Sequence, residues 1–181
     1  MEKEVITNIN SAKFREGNIS IVLDSYDDVF SDFDPRHYEV RALSDDFLLE
    51  CKKAALVKKD KPELIFLIPK KRRNYADEVK IKKRLKEYFH KHFNEQKRGI
   101  KKLRGLGVFW FALGALAMAL MPFLLEYEQF AYKILIIMAE PAGWFFFWEG
   151  LYMFFITAKD KKPDYDFYKK MSTSEIHFYD Y

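Results

Sequence analysis

The chain of 181 residues has little of the residue types that mark several protein classes, with one cysteine, seven glycines and six prolines. A single cysteine excludes an intramolecular disulfide framework, and the low glycine and proline content excludes collagen-like and low-complexity chains. Cys51 lies in a helical pattern, where we expect a buried apolar residue. Charge is also scarce in one place. Charged residues make up 32% of the chain, but only five of them lie between residues 105 and 158.

Catalytic and cofactor-binding motifs are missing as well. The sequence has no G-x-G-x-x-G, Walker loop, nucleophile elbow or zinc-spaced set of cysteines and histidines. We therefore expect no enzymatic activity and no cofactor. The charged start, Met1–Glu4, is followed within 30 residues by no apolar run long enough for the h-region of a signal peptide, so we expect no secretory signal.

Two long apolar runs occupy the region that is poor in charge, at residues 105–125 and about 134–157. A helix of about 20 apolar residues is long enough to cross the hydrocarbon core of a bilayer. The two runs therefore predict a transmembrane helical hairpin, with residues 126–133 as its connecting loop. A buried helical hairpin in a soluble protein is the alternative, and two runs of this length argue against it.

Basic residues surround the outer ends of this predicted hairpin. Residues 1–50 carry a net charge of -7, whereas residues 51–104, directly ahead of the first run, carry +14. Three lysines, at 159, 161 and 162, follow the second run. The positive-inside rule then predicts a multi-pass protein of the cytoplasmic (inner) membrane, with both termini in the cytoplasm.

The basic block predicts contact with anionic lipid headgroups. The residues expected to make it are Lys70, Lys71, Arg72, Arg73, Lys97, Arg98, Lys101, Lys102 and Arg104. For residues 70–73, an ordinary solvated loop is the competing interpretation. Nucleic-acid binding is a weaker interpretation of the block, because no aromatic residues are interleaved in a recognisable module.

Small residues in both runs indicate close packing of helices. Gly107 and Gly114 lie two turns apart on nearly the same face, and Ala115 with Ala119 forms a small-xxx-small pair. Small residues let helix backbones approach closely in lipid. We expect these residues, with Pro141 and Gly143, to pack on the other span or on a second copy, which predicts a homo-oligomer.

Two carboxylates, Glu140 and Glu149, interrupt the second run. An ionisable group inside a membrane costs about 2.5–3.5 kcal/mol on insertion scales and is a functional candidate by default. Glu149 is expected to bond Trp110 or a group on another copy of the chain, to make a polar packing contact between helices, to serve an ion pathway, or to reach the interface or contact lipid. Pro141 leaves two alternatives open for Glu140: a position in a helix kinked by the proline, or a capping position beside a helix that begins at Pro141.

The flanking sequence predicts a small cytoplasmic α/β domain. Residues 18–24, 63–69 and 175–181 have the pattern of strands. Helices are expected after the N-cap Ser44 and after Asn74, the second continuing through Gly99 towards the first span. The predicted fold class is thus an α+β membrane protein. Its hairpin (residues 105–158) lies between a domain of about three strands and two helices (residues 1–104) and a tail (residues 159–181) whose strand completes the sheet.

An acidic stretch follows the first predicted strand. Its five carboxylates could supply oxygen ligands to Ca²⁺ or Mg²⁺; they belong to Asp24, Asp27, Asp28, Asp32 and Asp34. The spacing is not that of an EF-hand, and Phe30 and Phe33 suggest instead a loop that docks aromatic side chains into a core. We therefore expect a folded loop whose acids face solvent, Arg36 or Arg41, and no metal.

Two stretches resemble those of small uncharacterised prokaryotic two-span membrane proteins. They are the SYDDVFSDFDPR stretch at residues 25–36 and the EPAGWFFFWEG stretch at residues 140–150. The resemblance implies a bacterial or archaeal membrane location and no particular activity. We expect a membrane protein that self-associates through its spans and presents its cytoplasmic domain to a protein partner or to lipid. The alternative is an oligomeric channel or transport component that uses the intramembrane glutamates.

Overall fold

A computed structural model of the protein describes residues 18–57, 62–124 and 129–181. Its main elements are β1 (Ile19–Val22), α1 (Asp45–Val57), β2 (Leu64–Ile68), α2 (Tyr75–Leu124), α3 (Phe130–Tyr152), α4 (Lys162–Thr173) and β3 (Ile176–Asp180). Short 3-10 turns cover Tyr26–Val29 and Lys70–Arg72, while a π-helical turn, Met153–Thr157, and a helical turn, Ala158–Asp160, follow α3.

The chain forms two compact units. We call Met1–Phe93 with Asp166–Tyr181 the α/β unit, and Asn94–Tyr165 the helical unit. The three strands of the α/β unit form a parallel sheet in the order β1-β2-β3. The predicted α+β class and all three predicted strands are therefore confirmed. All five residues of β2 are buried, as its unbroken apolar sequence leads one to expect of a central parallel strand.

Two helices of the α/β unit bury apolar stripes at helical spacing. On α1, Phe47, Cys51 and Ala55 recur every four residues, and each is at most 5% exposed. The predicted start of this helix after Ser44 is confirmed. Helix α4 was not predicted, because its sequence is mostly charged and polar, but it buries Phe167 and Met171.

The buried stripe of α2 begins on a residue that its hydrophobic pattern does not indicate. Ile81, Leu85 and Phe89 are fully buried. The apolar Val79 is 67% exposed, whereas the neighbouring Glu78, three residues before Ile81, is only 5% exposed. Successive residues on a helix are rotated by about 100° around its axis, so the buried stripe can include Glu78 or Val79 but not both.

Both long helices are continuous. Helix α2 runs without a break through Gly99, and α3 runs through Pro141. The alternative in which a helix begins at Pro141 with Glu140 as its cap is therefore wrong, and Glu140 lies within α3. Each helix is long and apolar enough to cross a membrane. Of the predicted connecting loop, residues 126–128 lie outside the described residues.

Candidate functional site in the helical hairpin

Helices α2 and α3 pack antiparallel through two pairs of glycines. A Cβ atom added to Gly107 would lie 2.8 Å from the carbonyl oxygen of Gly150, and one added to Gly114 would lie 2.7 Å from that of Gly143. All four glycines are buried. Because seven residues separate the glycines on each helix, and seven residues are nearly two full turns, they form one stripe on each helix. The backbones can therefore approach closely along this seam.

Other predicted packing residues lie off this seam. Ala115 is partly buried, while Ala119 and Pro141 are exposed, so the last two do not join the contact within the hairpin. Ala115 follows Gly114 by about 100°, which turns it away from α3. Gly150 was not predicted to pack between the helices. Its position seven residues after Gly143, on nearly the same face of the helix, could have indicated this role.

Aromatic rings extend the contact on either side of the glycines. Trp110 stacks on Phe146 with ring centroids 4.9 Å apart, and Phe111 meets Phe147 at 4.7 Å. No hydrogen bond joins Trp110 to Glu149 within the described chain, although one was an expected role for Glu149. The indole of Trp110 instead packs against the ring one turn before that glutamate.

The two carboxylates of α3 occupy different surroundings. Glu140 is exposed, and Glu149, next to the packed Gly150, is half-buried. Nine residues separate them, which places them about 13 Å apart along the axis and half a turn apart around it. Neither carboxylate has a hydrogen bond or ion pair with another described residue. The hairpin by itself therefore provides no partner for either group.

The outward faces of the hairpin are apolar and exposed. Of the apolar window in α2, 11% is buried, and for the helix Phe130–Asp160 the share is 6%. Large side chains such as Phe123 (67% exposed) and Ile137 (69% exposed) point away from the packed seam. A contiguous apolar surface of this kind marks a lipid or protein interaction site.

Basic residues gather at the end of the hairpin where α2 enters it. Lys97, Lys101 and Arg104 line a groove together with Lys159 and Lys162 from beyond α3. The other two predicted lipid contacts in this region, Arg98 and Lys102, are exposed but do not line the groove.

The predicted lipid contacts at residues 70–73 differ from one another. Lys70, Lys71 and Arg72 are exposed on a 3-10 turn, and Arg72 Nη1 donates to the Asp24 carbonyl oxygen at 2.8 Å. Arg73 is held in the fold, because its Nε donates to Glu78 Oε1 at 2.9 Å and its Nη2 to Glu78 Oε2 at 3.1 Å. This guanidinium already has a carboxylate partner, whereas Lys70 and Lys71 are exposed.

This ion pair belongs to a buried polar network that the sequence did not reveal. Tyr26 Oη donates to Glu78 Oε1 at 3.0 Å and accepts from the Asn74 backbone N–H at 2.9 Å. Arg73 also contacts Asp180 at 3.3 Å. Burial, with the Glu78 carboxylate beside it, raises the pKa of the Tyr26 hydroxyl. The network joins the loop after β1, the start of α2 and the C-terminal strand.

The acidic stretch is a folded loop whose carboxylates serve the backbone and nearby arginines. Asp28 Oδ2 accepts the backbone N–H groups of Asp24 and Ser25, at 2.7 and 2.9 Å. Asp27 pairs with Arg41. Phe30 is buried, but Phe33 is 97% exposed, so only the first of the two expected aromatic side chains docks into the core.

These contacts leave little ligand capacity for a cation. Asp24 and Asp32 are exposed, whereas Asp34 accepts from the Ala42 N–H at 2.7 Å and pairs with Arg36. Within residues 18–57, 62–124 and 129–181, no group of three or more histidine, cysteine or acidic side chains could hold a metal ion.

We expect Asp34→Asn to lower the thermal stability of the protein at pH 7. Hydrogen bonds from Arg36 hold the pKa of the Asp34 carboxyl well below its usual range. Such a group stabilises the fold above its unfolded pKa, about 3.9, and loses that effect as the pH falls through the lower folded value. Melting curves from pH 7 to 2 should therefore show the difference from wild type shrinking below about pH 4.

The matched control is Asp32→Asn, in the same loop. Asp32 is exposed and makes no hydrogen bond with a described residue, so its substitution should change the melting temperature little at any pH. A difference between Asp34→Asn and wild type that stays constant down to pH 2 would contradict this role for Asp34.

The lone thiol is protected inside the α/β unit. Cys51 is fully buried, and burial raises the pKa of its thiol to about 12. Because the thiolate is the reactive species, the native protein should react slowly with thiol reagents. Reaction at Cys51 therefore reports unfolding of the α/β unit. The three tryptophans, at 110, 144 and 148, all lie in the helical unit and report on that part separately.

Comparison of the chain with protein-family models, with curated proteins and with solved structures finds no match.

Proposed function

We propose that this is an integral protein of the cytoplasmic membrane that self-associates through its hairpin and presents the α/β unit to a partner in the cytoplasm. The observation that carries the proposal is the low burial of two apolar helix windows, of which 11% and 6% are buried. In water such a surface drives aggregation, whereas in a bilayer it faces lipid or another helix. In this proposal the protein has no catalytic role.

The distribution of charge supports one orientation. Basic side chains before residue 105 and after residue 158 flank the outer ends of the hairpin, while the segment between them has a single lysine. The positive-inside rule then favours both termini in the cytoplasm. With this orientation, the basic flanks face the anionic leaflet that would attract them.

Glu140 supports self-association. It is exposed within an apolar helix and has no partner among the described residues of its own chain. A carboxyl group in hydrocarbon is costly, and a polar contact with a second copy lowers that cost. Glu149 is half-buried within the hairpin and is the weaker candidate for an intermolecular contact.

We expect Glu140→Leu to weaken self-association about tenfold, because an interhelical polar contact contributes about 1–2 kcal/mol in lipid-like surroundings. Mass measurement across a dilution series in detergent gives the dissociation constant. Glu140→Gln, which keeps hydrogen-bonding capacity, should associate more tightly than Glu140→Leu.

Glu149→Leu is the matched control, since it removes a carboxylate from the same helix but from the half-buried position. It should leave the dissociation constant unchanged. A wild-type protein that is strictly monomeric at all concentrations would contradict the proposed self-association.

An oligomeric channel or transport component is the second candidate, favoured by a carboxylate on the outside of an apolar helix. Copies arranged around an axis would bring several Glu140 side chains together. Ion flux into liposomes would test this activity. Flux that is unchanged in both Glu140→Gln and Glu149→Gln would remove the carboxylates from the mechanism.

A further inference from the structure

A basic groove in the helical unit continues into an apolar one. The basic groove has a volume of about 680 Å³, within the range of small-molecule sites, and the adjoining apolar groove has about 200 Å³. Phe154 and Phe155 line both grooves. The two therefore form one continuous surface with a charged end and an apolar end.

The charged end is lined by basic side chains from two segments of the chain. Lys97, Lys101 and Arg104 come from α2, while Lys159 and Lys162 come from the segment after α3, and no acidic residue is among the lining side chains. The Arg104 guanidinium lies over the Phe154 ring, 5.8 Å from its centroid. This cation–π contact holds a bidentate phosphate-binding group above the apolar floor.

The apolar end follows the glycine seam of the hairpin. Its lining includes Gly107, Gly150, Val108 and Leu151, which belong to the two helices that are long and apolar enough to cross a membrane. The two glycines lie among the larger apolar residues that line this groove. The lining is wholly apolar and suits part of a hydrocarbon chain, whereas a soluble anion such as free phosphate has nothing to bind there.

We propose that this groove binds an anionic phospholipid, its phosphate at the five cations and an acyl chain along the apolar channel. The order of the two parts matches a phospholipid, which joins a negative headgroup to hydrocarbon. Basic pockets between membrane helices on the cytoplasmic side are suited to such headgroups. The inference rests on the proposed insertion of the hairpin in the membrane.

The test compares lipid binding to purified full-length protein in neutral detergent. Native mass spectrometry measures retention of phosphatidylglycerol and of phosphatidylcholine with the same acyl chains. We expect at least a tenfold preference for phosphatidylglycerol in the wild type. The variant K101Q/R104Q/K159Q should lower the affinity for phosphatidylglycerol about a hundredfold, since each basic residue near anionic lipid contributes several-fold to affinity.

A matched control removes the same charge from outside the groove. Arg98, Lys102 and Lys161 are exposed, come from the same two segments and do not line it. The variant R98Q/K102Q/K161Q should keep the wild-type preference. Equal losses in the two triple variants would overturn the proposal, because they would show general surface attraction without a site.

A competition experiment tests whether the groove needs the acyl chains as well as the phosphate. Glycerol 3-phosphate, the headgroup without chains, should compete poorly, and competition equal to that of the lipid would overturn the assignment to a phospholipid.

Alkaline extraction of membranes separates this proposal from the proposed function. Release of the protein as a soluble species refutes membrane insertion, while retention without a phosphatidylglycerol preference refutes only the lipid site.

Discussion

Glu78→Ala should lower the free energy of unfolding of the α/β unit by about 3–5 kcal/mol, the largest single effect that we expect. The Glu78 side chain is 6% exposed and that of its partner Arg73 is 15% exposed. Removing the carboxylate leaves a guanidinium shielded from water without its bidentate partner. It also removes the carboxylate oxygen to which the Tyr26 hydroxyl donates at 3.0 Å.

Labelling of Cys51 at increasing denaturant gives this free energy for the α/β unit, because the thiol is buried there and is the one cysteine of the chain. Glu50→Ala is the control: Glu50 forms an ion pair of 2.7 Å with Lys53, and both side chains are more than half exposed. Its loss should cost at most about 1 kcal/mol.

A double substitution shows how much of the stability lost in Glu78→Ala is due to the unpaired charge of Arg73 and how much to lost packing. Arg73→Met combined with Glu78→Met removes both charges and keeps side-chain volume, so it should recover much of the stability lost in Glu78→Ala. A Glu78→Ala variant no less stable than Glu50→Ala would show that the network does not stabilise the fold.

Gly114→Ala and Gly150→Ala should each destabilise the hairpin by about 1–3 kcal/mol, the usual range for overpacking. A Cβ at Gly114 would collide with the backbone nitrogen of Phe147 and lie 2.8 Å from its Cα. One at Gly150 would collide with the backbone nitrogen of Phe111 and lie 2.7 Å from its Cα. Backbone atoms cannot rotate away, so the helices must separate.

Tryptophan fluorescence during denaturation in detergent measures this loss, because all three tryptophans lie in the helical unit. Gly99→Ala and Gly105→Ala are the controls. A Cβ at either position would meet nothing within 4 Å, and alanine is the better helix former by about 1 kcal/mol. These two variants should be at least as stable as wild type, and equal stability of Gly114→Ala would contradict the packed seam.

Much of the fold could be predicted because the spacing of apolar residues along the sequence indicates which side of a helix or strand is buried. The unbroken apolar sequence of β2 and the four-residue spacing of Phe47, Cys51 and Ala55 each indicated the element and its buried side. Helix α4 was missed because only Phe167 and Met171 of its twelve residues are buried apolar side chains. Such a sparse pattern is hard to distinguish from that of a charged loop.

Tertiary pairing explains the other differences. Nothing local to Glu78 indicates that it is buried, because its partners include Tyr26, 52 residues away. Likewise, Ala115 and Ala119 fit a small-residue motif as well as Gly107 and Gly114 do, and only the rotation of α2 against α3 selects the glycines. The two glutamates of α3 are visible in the sequence because they interrupt an apolar run. Their different exposure, however, depends on how α2 and α3 are rotated against each other.

Accessibility of single cysteines in spheroplasts shows whether the hairpin spans a membrane. In a Cys51→Ser background, Gln129→Cys at the start of α3 and Lys161→Cys after it both replace exposed residues. We expect a membrane-impermeant maleimide to label Gln129→Cys in intact spheroplasts and Lys161→Cys only after they are lysed. Labelling of both variants only after lysis, or equal labelling of both before it, would contradict a hairpin that crosses the membrane.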